Sequence, residues 1–72
     1  MLSQSQLDKY RAEYPVGATV ELISMSDPQA PPYGTKGKIT YVDDAGTIHV
    51  RWETGSGLGL VIGEDSFKIV KD

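Results

Sequence analysis

Seventy-two residues suffice for one small domain with a modest core, and the absence of cysteine excludes disulfides or a thiolate metal site as reinforcement. A single His rules out a multi-histidine metal centre, and a net charge of −3 with a pI near 4.9 argues against broad nucleic-acid binding, which needs a concentrated basic surface. Met1-Leu2-Ser3-Gln4 lacks the basic start and apolar run of a secretory leader, and no segment reaches the length of a membrane span, so a cytoplasmic location is expected.

Residues 3 to 14 are the one helical candidate. Ser3 or Ser5 can cap the N-terminus, and Ser3 with Gln6 fits a capping box. Leu7, Tyr10 and Tyr14 recur at helical spacing and make a narrow apolar stripe. A helix this short is not stable alone, so it must dock on the rest of the chain, dock on another subunit, or fray. Pro15 ends it, because the residue before proline is pushed out of the α region.

A first strand follows at about Thr19 to Ser24, with Val20 and Leu22 on one face and Glu21 and Ile23 on the other. Ser26 to Gly34 holds three of the four prolines and reads as a stiff loop, because proline has no N–H for a ladder. The second strand, Gly37 to Asp43, places Ile39 and Val42 three apart. A bulge near Tyr41 would let both face inward and bend the strand. Asp43-Asp44-Ala45-Gly46 supplies a hairpin turn, and Thr47 to Glu53 the third strand, in which Ile48, Val50 and Trp52 alternate with His49 and Arg51. Thr54 to Gly57 reads as a flexible turn, Leu58 to Ile62 as a fourth strand, Gly63-Glu64-Asp65 as a turn, and Ser66 to Val70 as a fifth strand. Five short strands with close turns predict a small five-stranded antiparallel barrel, residues 15–72, behind a helical arm, residues 1–14.

No residue set amounts to a reaction. Gly55-Ser56-Gly57-Leu58-Gly59 lacks the strand, helix and βαβ unit of a dinucleotide fingerprint, and Gly34-Thr35-Lys36-Gly37-Lys38 lacks the spacing of a P-loop. The acidic pairs Asp43-Asp44 and Glu64-Asp65 lie in turns, where carboxylates cap backbone N–H groups, and no base is positioned for a Ser or Thr nucleophile. Neither a catalytic residue nor a metal or cofactor is therefore expected. What remains is binding chemistry. Arg51 suits bidentate recognition of a carboxylate or phosphate, and His49, Lys36 and Lys38 come from the same hairpin region. Tyr33, Tyr41, Tyr10 and Tyr14 can offer aromatic surface for a base or peptide, and Gly57 and Gly59 allow close backbone approach.

The segments Tyr14-Pro15-Val16-Gly17, Asp27-Pro28-Gln29-Ala30-Pro31-Pro32, Gly34-Thr35-Lys36-Gly37, Val42 to Trp52, Gly55 to Leu60 and Gly63-Glu64-Asp65-Ser66-Phe67 resemble a family of small domains of unknown function carried by bacteriophages and conjugative elements. The likeness spans about residues 14 to 70 and departs from the family pattern at Glu53-Thr54-Gly55 and Gly57. The resemblance implies an SH3-like barrel working in a phage or mobile-element setting inside a bacterial host, and it brings no established catalytic residues.

Three non-enzymatic functions follow as expectations. One is sequestration of a small anionic, nucleotide-like signal that serves host defence. A barrel this small cannot enclose such a ligand alone, so this version requires a homo-oligomer. Its site would use Tyr33, Lys36, Lys38, His49, Arg51, Gly57 and Gly59. The second is an adaptor or inhibitor that grips a host protein through the proline-rich loop. The third, an accessory domain for nucleic acid, is opposed by the acidic pI. No membrane partner is expected.

Overall fold

Ser3 sets the start of the first helix, α1 (Gln4–Glu13): its Oγ accepts from Gln6 N at 3.2 Å while Gln6 Oε1 accepts from Ser3 N at 3.1 Å. This reciprocal box satisfies two amides that the helix leaves without partners. The computed structural model describes residues 3–70; the ends of the expected segments 1–14 and 15–72, Met1 with Leu2 and Lys71 with Asp72, lie outside the described residues. The helix docks on its own chain. Leu7 is buried, and Tyr10 and Tyr14 pack against the core. Arg11 Nε and Nη2 both donate to Val42 O at 3.3 Å, and Nη2 meets Asp44 Oδ1 at 3.0 Å. Burial, reinforced by the nearby Glu13 charge, raises the Tyr14 hydroxyl above its usual pKa, as expected of a phenol packed 5.5 Å from the Phe67 ring.

Five strands form one antiparallel sheet in the order β4-β3-β2-β1-β5: β1 (Thr19–Ser24), β2 (Lys36–Val42), β3 (Thr47–Trp52), β4 (Leu60–Val61) and β5 (Ser66–Val70). β1 and β5 have the bounds expected from sequence, β2 both starts and ends one residue earlier than expected, and β3 ends one residue earlier, at Trp52. The β2–β3 register slips between Ile39 and Tyr41, so Thr40 and Tyr41 both face outward opposite His49, while Ile39 and Val42 are both buried. This is the expected bulge. The hairpin is also as expected: Asp43 Oδ1 accepts from Ala45 N and Thr47 N, both at 3.0 Å, and Gly46 takes φ 86°.

Two expectations are corrected. The fourth strand is Leu60–Val61, not Leu58 to Ile62, and the sheet is open, not a closed barrel. Both differences have one cause: local contacts take the backbone groups that a longer ladder would use. Leu58 O accepts from Trp52 Nε1 at 2.8 Å, Val61 N donates to Asp65 Oδ2 at 2.8 Å, and Val61 O accepts from Glu64 N and Asp65 N. The chain therefore turns after two paired residues, and no ladder joins β4 to β5.

Val20, Leu22, Ile39, Val42, Ile48, Val50, Trp52 and Leu60 make one buried cluster on the inner face. Each such side chain contributes about 1.5–3 kcal/mol on burial. Gly37 occupies an inward position where a Cβ would lie 2.5 Å from Val50 Cγ1 and 2.8 Å from Arg51 O, so the ladder closes tightly at that point. Among the described residues no helix is long and apolar enough to cross a membrane.

Candidate functional site

The inward residues of β1, β2 and β3 are apolar, so every polar side chain of these strands projects from the opposite, outer face. The register sorts them into rows across the strands. Lys38 faces Arg51 on one side and Thr19 on the other, and Lys38 Nζ donates to Thr19 Oγ1 at 3.4 Å. Like charges directly opposite on antiparallel strands destabilise the pair, so folding alone gives no reason for this arrangement.

The neighbouring row is mixed. Lys68 pairs with Glu21, which pairs with Lys36, and Glu53 N donates to Lys36 O at 2.9 Å. Lys68 Nζ meets Glu21 Oε2 at 3.3 Å. Lys36, Lys38, Arg51 and Glu53, together with Thr19, Gly37 and Trp52, line a shallow groove of about 280 Å³. Among the described residues, no carboxylate lies within ion-pair distance of Lys36, Lys38 or Arg51.

The row on the other side is aromatic. Tyr41 and His49 stack with ring centroids 4.1 Å apart and planes 7° from parallel. His49 Nε2 lies 2.8 Å from Asp43 Oδ2; an ionised carboxylate only accepts, so Nε2 carries the proton. The His49 hydrogen bond, followed by the Thr47 and Ala45 amides, holds the Asp43 carboxyl below its ordinary pKa.

Of the residues singled out from sequence, Lys36, Lys38 and Arg51 converge in the groove, and His49 lies two positions from Arg51 on the same face of β3. Tyr33 is highly exposed on the proline-rich loop, outside the groove. That loop is tied to itself: Thr35 N and Oγ1 donate to Pro32 O, Gln29 N donates to Asp27 Oδ1, and Ala30 N donates to Asp27 O. Gly57 is exposed in the connection before β4. Gly59 packs so tightly on β3 that a Cβ would sit 2.6 Å from Thr47 Cγ2. It borders a second depression of about 290 Å³, whose rim includes Asp27, Glu64 and Asp65. Among the described residues, no group of three or more His, Cys, Asp or Glu is arranged to hold a metal ion.

Thr19 and Glu53 line the groove and were not singled out from sequence, whereas Tyr41 was expected only as general aromatic surface and is brought beside His49. Strand alternation alone would turn Tyr41 inward once Ile39 faces the core; only the position of the bulge reveals it as the partner of His49.

No curated protein and no solved structure matches the chain. Residues 3–70 match a family described as "Domain of unknown function (DUF4314)", and the chain belongs to that family.

Proposed function

We propose that this member of the DUF4314 family is a non-enzymatic binding module that holds a small, phosphate-bearing anion on the outer face of its sheet. One observation carries the reading: Lys38 and Arg51 stand directly opposite each other in a groove they share with Lys36, and among the described residues neither of the two has a carboxylate at ion-pair distance. Cations that repel one another without neutralisation gain most from an anion that joins them. The groove is a shallow, open depression and not an enclosing pocket, so retention of a nucleotide-sized molecule calls for a second copy to cover it. In this reading the chain forms a homo-oligomer that sequesters a host signal in the bacterial cytoplasm, in the phage or mobile-element setting that the sequence resemblance implies. The SH3-like arrangement implied by the resemblance draws support from five antiparallel strands in the order β4-β3-β2-β1-β5, in a sheet that is not closed.

A second reading, a protein adaptor, draws support from Tyr33, which is 77% exposed on a loop braced by its own hydrogen bonds. Native mass spectrometry of protein purified from a bacterial strain separates the two. Sequestration predicts a discrete oligomer with retained small-molecule mass, lost in Lys38→Ala/Arg51→Ala. A bare monomer, or a ligand mass unchanged in the double variant, overturns it.

A further inference from the structure

The three rows of the outer face follow one another along the strands: an aromatic pair, a doubly cationic pair and a mixed row. Tyr41 and His49 supply the first, Lys38 and Arg51 the second. In the third, Lys68, Glu21, Lys36 and Glu53 carry two positive and two negative charges, which cancel. A ligand that touches both the aromatic and the cationic row must place a planar group one two-residue step of β3 from an anionic group, roughly 7 Å away. A pentose between a base and its phosphate provides a spacer of that kind.

The aromatic row is held in advance of any ligand. Asp43 fixes the plane of His49 through Nε2 at 2.8 Å, and Thr40 Oγ1 donates to His49 O at 3.2 Å. Tyr41 stacks on that fixed ring and remains 51% exposed, so it offers aromatic surface to a second planar partner. In the opposite direction the next row carries no net charge, because Glu21 and Glu53 offset Lys36 and Lys68. A chain of further phosphates running past Lys38 and Arg51 would meet Glu53, whose backbone adjoins Lys36.

We infer that the site selects a nucleotide bearing one phosphate group, with its base on Tyr41, its phosphate between Lys38 and Arg51, and Glu53 discriminating against additional phosphates. This deepens the anion-binding reading and rests on it. Isothermal titration calorimetry of the full chain with inorganic phosphate, AMP and ADP tests it. AMP is expected to bind more tightly than inorganic phosphate, by the roughly five- to hundred-fold that base–aromatic stacking gives, and more tightly than ADP. Tyr41→Ala should bring AMP down to the affinity of phosphate, Tyr41→Phe should restore it, and Glu53→Gln should narrow the gap between AMP and ADP. If phosphate binds in a Lys38-dependent way but AMP binds no tighter, the nucleotide inference falls and the anion site stands. If the unaltered chain binds none of the three, both fall.

Discussion

The two faces of β2 and β3 are built from alternating residues of the same strands, yet they obey different rules. The inner face satisfies packing: Ile39, Val42, Ile48, Val50 and Trp52 are nearly inaccessible to water, and Gly37 leaves no room for even a methyl group. The outer face works against stability where it sets Lys38 opposite Arg51. A surface under no constraint but solubility would more readily have placed opposite charges there, as Lys68 and Glu21 do one row away. The contrast marks the cationic pair as the part of the sheet whose composition folding does not explain.

Substitutions on the two faces should separate accordingly. Trp52→Ala removes the largest buried side chain and orphans the Leu58 carbonyl, and it should cost about 3–5 kcal/mol, enough to unfold much of so small a domain. Urea denaturation followed by circular dichroism reads the loss; a cost near that of a surface change would mean the inner face is not the stabilising one. A smaller effect is expected at the hairpin. Asp43 is held below its ordinary pKa in the folded state, so its contribution is present above the unfolded carboxylate range and disappears as pH falls through the lowered folded value, beginning below about pH 4. Asp43→Ala should therefore lower Tm near neutrality, and the difference from the unaltered chain should narrow on acidification. A gap that stays constant to low pH would assign the loss to packing instead of to the His49 and amide contacts. Least of all, Lys38→Ala should change stability by no more than about 0.5 kcal/mol, and in the stabilising direction, because it relieves repulsion with Arg51. A large destabilisation would erase the distinction between the faces.

Much of this arrangement was legible in the sequence because the signals were local. Ser3 with Gln6, Pro15, the Asp43–Gly46 turn and the alternation from Ile48 to Trp52 each act within a few residues. The same period placed His49 and Arg51 on one face. The length of β4 was not legible, because it depends on the Trp52 indole reaching Leu58 and on Asp65 turning back to Val61, contacts that no periodicity reports. For the same reason closure was expected and an open sheet was found. Gly57 and Gly59 illustrate a different limit. Glycine permits close approach without saying by what, and at Gly59 the approaching group is Thr47 of the chain itself. The bulge near Tyr41 was legible from the spacing of Ile39 and Val42, but the stacking of Tyr41 on His49 across the strands was not.

That bulge has a meaning in the gene as well as in the sheet. Thr40 is the extra residue, and a strand reading Ile39, Tyr41, Val42 without it would alternate in, out, in with no irregularity. The aromatic pair is thus compatible with two strand lengths that differ by a single codon. A lineage can gain or lose the bend at this point without exchanging the residues on either face, so an in-frame insertion or deletion, usually ruinous inside a sheet, becomes here a way to adjust the angle at which the outer face is presented.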